Sequence, residues 1–343
     1  MLAGLFKANL PQWVVTCYPL WFGAIFFALG RFPTLAEWPV IILFLATVTV
    51  ILGIAEFANT YADREEDGIF VPSNPIITGE LSVETAKKAF IAQNIVAGIL
   101  LTTLYILTYN LQCTLAILLG WIIGLTYSLP PFRFKERTIA PFPFALGLSL
   151  VPVVAWLLFK PLNLFILAFM LFFFTHTFAF GITTKLRKTA ELLKHNPTSQ
   201  LNPHNISSVG FKVKVKISAL LEIIISIIAI ILVALFWYHG IFNLTLTIGL
   251  LTFPLLFTIL FIIYRIKSIK TVKDFIKNQP TCSMTMGMIY LFSIFAFLTA
   301  SLINLVHWAL AIIPNIIVLL LFAALLKYTH PYGAAYKPIP AKE

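Results

Sequence analysis

The sequence predicts an all-α, polytopic membrane helix bundle of nine to ten transmembrane helices, and three observations predict it. Apolar residues make up 60% of the 343-residue chain, charged residues only 11%, and the mean hydropathy is +0.95. Soluble domains carry about 45–50% apolar and about 25% charged residues. Second, apolar runs near the roughly 20 residues that cross a bilayer core of ~30 Å recur from end to end. Third, with ten crossings and both termini inside, all of the 24 Lys and Arg residues except Arg31 and Lys160 fall on the inner face. The net charge of +11 is therefore an orientation signal and an attraction to anionic lipid, and it requires no nucleic-acid partner.

The spans lie near 10–31, 38–62, 86–108, 111–129, 140–159, 163–184, 217–238, 241–264, 284–306 and 308–326, within a single transmembrane domain over 1–343. The opening MLAGLFKANLPQW has one Lys and no small-residue cleavage site, which suits an uncleaved first helix. Outer connections such as 109–110, 160–162 and 239–240 barely turn the chain. The breaks 238/241 and 306/308 are the thinnest, and losing one gives nine helices. Inner connections at 63–85, 130–139, 185–216 and 265–283 are long and polar, so chemistry belongs on the cytoplasmic side, where loops cap a rigid scaffold. In 265–283, Ile266, Ile269, Val272, Phe275 and Ile276 recur at helical spacing among Lys267, Lys270, Lys273 and Lys277, which predicts a basic amphipathic helix lying on the inner leaflet. The topology separates Cys17, Cys113 and Cys282, so no disulfide is expected. Richness in Ile, Lys and Asn is consistent with a bacterial inner membrane. The chain carries no P-loop, no GxGxxG after a strand and no HExxH.

Only thirteen residues are acidic, yet Asp63, Glu65, Glu66 and Asp67 crowd the end of the second span. At 3.6 residues per turn, Asn59, Asp63 and Asp67 share one stripe, with Glu56 deeper on the same stripe. This is a helix C-terminus, where the macrodipole is already negative and like charges at i, i+4 repel, so a cation has to compensate. Two carboxylates and an amide facing one cavity suit Mg²⁺, which takes one or two carboxylates and bridges to phosphate oxygens. A solvated acidic helix end that marks the membrane boundary is the alternative. Glu56, an intramembrane carboxyl, marks either a site or a group partnered by a basic residue of the sixth span. His176, mid-span in FFFTHTFAF, is either a satisfied core histidine or a proton acceptor. Glu222 is a further intramembrane acid without an obvious partner.

The stretch NTYADREEDGIFVPSNPIITGELS, from Asn59, resembles the first signature of the UbiA superfamily of intramembrane prenyltransferases. Asn59, Asp63 and Asp67 take the Asn and the last two Asp positions of its NDxxDxxxD run. YSLPPFRFKER, from Tyr127, resembles the family's YSxPPxRxK segment at the mouth of the active site. The resemblance covers the chain to about residue 305, leaving 306–343 as an added helix and cytoplasmic tail. It implies a bundle around a central cavity open to the inner face and to lipid. It also implies Mg²⁺ held by Asn59, Asp63 and Asp67, an isoprenoid diphosphate as substrate, a lipophilic prenyl acceptor, and Tyr127 beside a developing allylic cation. The chain departs from the pattern in three places. Thr60 stands for the second-position Asp, and Ser73 and Asn74 stand where the family has Asp-Arg. The second Asp-rich signature is replaced by FGITTKLRKTAELLKHN, with Glu191 its one acid. Lys185 and Lys188 are then expected to bind phosphate as point charges in place of a second metal, with Lys135 and Arg187 as further diphosphate-binding groups. A terpene cyclase of the same superfamily, or a lipid-binding member that has lost the chemistry, fits the same residues.

Overall fold

The computed structural model describes residues 1–64, 74–195, 208–303 and 305–329. Every described element is helical: α1 Leu2–Ala8, α2 Pro11–Val15, α3 Tyr18–Leu29, α4 Trp38–Ala62, α5 Val83–Thr108, α6 Leu111–Ser128, α7 Pro141–Leu157, α8 Leu164–His195, α9 Ser208–Tyr238, α10 Leu244–Ser268, α11 Val272–Leu302 and α12 Trp308–Thr329. A 3₁₀ turn at Phe134–Glu136 joins α6 to α7. Nine stretches among the described residues are long and apolar enough to cross a membrane, counting Pro11–Leu29 as one, and Pro141–Leu157 is a shorter apolar helix. Each of the ten expected spans thus has its helix, and the two thin breaks are real. The chain is an integral membrane protein.

Local chemistry ends these helices where the sequence says it should. Gly30 closes α3 in the left-handed region at φ 66°, where a Cβ would be strained. Ser82 caps α5, its Oγ accepting the Thr85 N–H at 3.2 Å. Asn110 caps α6 through the Cys113 N–H, and its side-chain amide donates to the Leu157 carbonyl at 2.6 Å. Arg31, between α3 and α4, forks onto Glu37 with two contacts of 2.8 Å.

Two compact units make up the chain. The first holds α1–α6, the second half of α7 and α12. Here α4 is the hub, packed on α5 and α6. Gly124 of α6 admits Ala55 of α4 so closely that an added Cβ would lie 2.7 Å from the Ala55 Cβ, the small-residue packing that membrane helices favour. α12 packs on the N-terminal helices, with Trp13 against Phe322 and Phe6 against Tyr328. The second unit holds the first half of α7 and α8–α11. Its interior is aromatic, with Phe169 stacked on Phe297 at 3.9 Å.

Two expectations are corrected. The stretch 265–283 is not a separate helix on the membrane surface. α10 runs through Arg265 to Ser268 and α11 begins at Val272, so this stretch is the turn of a helical hairpin. Phe275 of this stretch serves packing: 1% exposed, it clusters with Ile182, Leu186, Ala190 and Val215. Glu222 does have a partner, a 2.7 Å ion pair with Arg265, both side chains fully buried. Cys17, Cys113 and Cys282 are each free and buried.

Candidate functional site

α4 delivers the first signature to its own C-terminus, where Asp63 is the capping residue and its N–H bonds the Asn59 carbonyl. The Asp63 side chain is almost wholly buried, so its charge needs a partner. The partner comes from the loop after α6. Lys135 Nζ donates to Asp63 Oδ1 and also to Asn59 Oδ1 at 3.1 Å. Arg133 adds a guanidinium 3.6 Å from Asp63 and is itself paired with Glu136 at 2.7 Å. The cation that an acidic helix C-terminus demands is thus supplied in part by the second motif.

The loop reaches that position by strain. Arg133 sits at φ 40°, left-handed backbone that a non-glycine residue adopts at a cost of order 1–3 kcal/mol. It is held there by its N–H bond to the Leu129 carbonyl and by its two carboxylate partners. Ser128, fully buried at the end of α6, donates to Asn59 Oδ1 at 3.4 Å and turns the amide oxygen toward Lys135. Ser128 and Arg133 are site residues that the sequence reading passed over, although both stand inside the motif beginning at Tyr127.

The geometry tests whether a divalent cation fits. Two hard oxygen donors, one carboxylate and one amide, converge on a single ammonium nitrogen, so they converge on a point that a cation can occupy. That donor chemistry suits Mg²⁺. Among the described residues no three His, Cys, Asp or Glu side chains cluster as a metal site. The third expected donor, Asp67, lies outside the described residues, with Glu65, Glu66 and Ser73.

Two departures from the family pattern have structural explanations. Thr60, where the family carries Asp, turns away from the site: it is buried and its hydroxyl donates to the Ala8 carbonyl at 3.0 Å. Asn74 donates to the Thr60 carbonyl at 3.0 Å and accepts the Ile76 N–H at 3.0 Å. Together they tie α1, the end of α4 and the loop into α5 around Ala8, Phe57, Leu81 and Ala86. An ionised Asp at Thr60 would face a carbonyl oxygen there.

The remaining candidates divide. Tyr127 is half-buried beside Ser128, and Glu56 is half-buried on the Asn59–Asp63 stripe. Lys185 is half-buried and Arg187 exposed near the end of α8, while the side chain of Lys188 lies outside the described residues. His176 corrects the reading of a satisfied core histidine. It is buried edge-on to Phe172 at 4.6 Å, and neither ring nitrogen has a hydrogen-bond partner among the described residues.

Comparison with known proteins gives this geometry its family. A UbiA homolog from Archaeoglobus fulgidus, solved with GPP and Mg²⁺, is 19% identical with a TM-score of 0.53, covering 92% of this chain and 99% of that one. A digeranylgeranylglyceryl phosphate synthase is 16% identical with a TM-score of 0.56, covering 87% of this chain and 98% of that one. At such identities the likeness is one of fold. Two 2-acylphloroglucinol 4-prenyltransferases of Humulus lupulus are each 36% identical over 115 residues, 32% of this chain. The chain thus spans 27% of the length of these curated relatives. Residues 16–278, most of the chain, match the UbiA prenyltransferase family. The chain belongs to that family.

Proposed function

We propose that this protein binds an isoprenoid diphosphate together with Mg²⁺ and transfers the prenyl group to a lipophilic acceptor within the membrane. The observation that carries the reading is the convergence of Asn59 Oδ1 and Asp63 Oδ1 on one cationic point, held by Lys135 Nζ with Arg133 beside it. Asn59, Asp63 and Asp67 are the residues to hold the ion. Bound there, Mg²⁺ neutralises diphosphate oxygens and makes the group a better leaving group. The chemical relatives support this reading by what they bind or are named for: GPP or DMAPP with Mg²⁺ in the archaeal homolog, prenyl transfer in the plant enzymes.

The chain's own residues divide the remaining work. Lys135 carries a positive charge between the acid stripe and the phosphate, and Lys185, Arg187 and Lys188 neutralise phosphate from α8, in place of a second carboxylate cluster. The allylic C–O bond breaks with its electron pair leaving on the diphosphate. The acceptor then supplies the pair for the new bond and loses a proton. Tyr127 presents an aromatic face to the allylic cation. His176, with two unpartnered nitrogens, is the candidate for taking up a proton.

Purified protein incubated with Mg²⁺ and labelled prenyl diphosphates of several lengths tests the reading. A prenylated lipophilic product supports it, a cyclised hydrocarbon or alcohol moves the assignment to a terpene cyclase, and no turnover moves it to a lipid-binding member. Within an active protein, Asp63→Asn and Asp67→Asn should each weaken Mg²⁺-dependent diphosphate binding by about 10–100-fold, the range for disturbing a metal site. Glu65→Gln should change it little. Equal losses at all three would mean that the cluster acts only as diffuse charge.

A further inference from the structure

The second unit buries a polar network that the proposed reaction does not use. Thr183 of α8, Glu222 of α9, Arg265 of α10 and Gln279 of α11 are each 0% exposed. Arg265 Nε lies 2.7 Å from Glu222 Oε2, and a second guanidinium nitrogen donates to Glu222 Oε1 at 3.3 Å. The Thr183 hydroxyl donates to Glu222 Oε1 at 2.6 Å. Arg265 also donates to Gln279 Oε1 at 2.7 Å, and the amide nitrogen of Gln279 donates to the Thr183 main-chain carbonyl at 3.1 Å. Four helices are thus joined by four side chains.

Such a network is a poor way to gain stability. A buried ion pair roughly breaks even against apolar packing of the same volume, and ionisable groups within a membrane are costly. What it offers is direction. Thr183 is gripped twice, through its hydroxyl by Glu222 and through its carbonyl by Gln279, and both grips lead to Arg265. Apolar contacts slide, whereas this pair of bonds specifies both the rotation of α8 about its axis and its position along it. Lys185 follows two residues later, about 200° round and ~3 Å along, and Lys188 about one turn beyond that. A rigid helix carries any rotation at Thr183 straight to these residues.

We propose that Glu222, Arg265 and Gln279 are positioning residues that lock the rotation of α8 at Thr183 and so aim the Lys185–Lys188 turn at the phosphate. The last clause rests on the proposed role of those lysines; the lock itself does not. The test uses the full chain in lipid nanodiscs with a single reporter cysteine at Leu186→Cys or Arg187→Cys. Arg187 is exposed and Leu186 is 7% exposed, while the native cysteines are buried. A water-soluble maleimide should therefore label position 187 at least about tenfold faster than position 186, the exposed thiolate being the reactive one. In the apolar pair Glu222→Leu/Arg265→Met, the thermal midpoint should hold while this ratio falls to about threefold or less. Binding of inorganic diphosphate should weaken about tenfold in parallel.

An unchanged labelling ratio in a folded double variant overturns the proposal. A collapsed ratio with diphosphate binding intact, in a protein where Lys185→Ala/Lys188→Ala lowers that binding, also overturns it, since the lock would not then aim the lysines. If the lysine variant leaves binding unchanged while the ratio collapses, the lock stands and the phosphate role of the lysines falls. Should the double variant fail to fold, Gln279→Leu replaces it. That change keeps the ion pair while removing the grip on the Thr183 carbonyl together with the Arg265–Gln279 bond, and a full ratio there refutes the lock.

Discussion

Replacing Lys135 by Met removes the ammonium on which Asp63 Oδ1 and Asn59 Oδ1 converge while keeping most of the side-chain volume. The Asp63 and Lys135 side chains are 4% and 8% exposed, so water cannot substitute for the lost charge. Breaking a buried ion pair by removing one partner costs about 3–5 kcal/mol. Arg133 remains 3.6 Å from the same carboxylate and offsets part of that, which brings the expected loss to about 2–3 kcal/mol. If the two oxygens form a cation seat, Mg²⁺ can fill it in this variant without competing against the lysine. At a hundred times its dissociation constant, a ligand specific to the folded state restores about 2.7 kcal/mol, close to the whole deficit. Thermal unfolding in detergent, with MgCl₂ or a monovalent salt at matched ionic strength, reads both effects, because diffuse screening is the same in the two solutions. The Lys135→Met midpoint should drop by several degrees and recover with Mg²⁺, while that of the wild type should move much less. A Lys135→Met protein as stable as wild type, or one that Mg²⁺ shifts no more than wild type, would falsify the seat.

Other outcomes follow from the same structure. Thr60→Val should cost about 0.5–1.5 kcal/mol through the lost bond to the Ala8 carbonyl, and Asn74→Ala about 1–3 kcal/mol through two lost bonds. Both variants should bind diphosphate within about twofold of wild type, and a large affinity loss would return these positions to the site. The fork with Arg31 holds the Glu37 carboxyl from its ordinary 4.5 down to about 2. Because the folded value is the depressed one, its stabilisation is complete above 4.5 and lost as pH falls towards 2. Arg31→Ala should accordingly flatten the acid limb of the unfolding midpoint across that window, and an identical limb would show that the pair contributes nothing. Reporters fused after Glu343 and inserted within 195–210 should both read as cytoplasmic, and opposite sides would remove one crossing.

Much of the architecture was legible because it is a local property. A run of about 20 apolar residues must bond its own backbone in lipid, so it is a helix whatever surrounds it. Hence even the 238/241 and 306/308 breaks appear in the structure, between α9 and α10 and between α11 and α12. The stripe of Asn59 and Asp63 follows from 3.6 residues per turn, and the need for a cation beside it follows from the helix dipole. Hydropathy reads less well where a helical pattern has two uses. The spacing of Ile266, Ile269, Phe275 and Ile276 suits a membrane surface and a helical hairpin equally, and only packing of Phe275 on Ile182 and Val215 chooses between them.

The sequence by itself determined the membrane class, the helices and the two segments that meet at Asp63 and Lys135. Only the tertiary structure decided which charges meet. Lys135 reaches Asp63 across 72 residues, Thr60 turns to Ala8 across 52, and Arg265 finds Glu222 across 43. Glu222 read as unpartnered, and Arg265 only counted among the basic residues of the inner face, because a pairing between helices leaves no local periodicity. Buried in a bundle, however, each charge must find an opposite one or remain unsatisfied at a cost of several kcal/mol, and that global constraint selects the pairs.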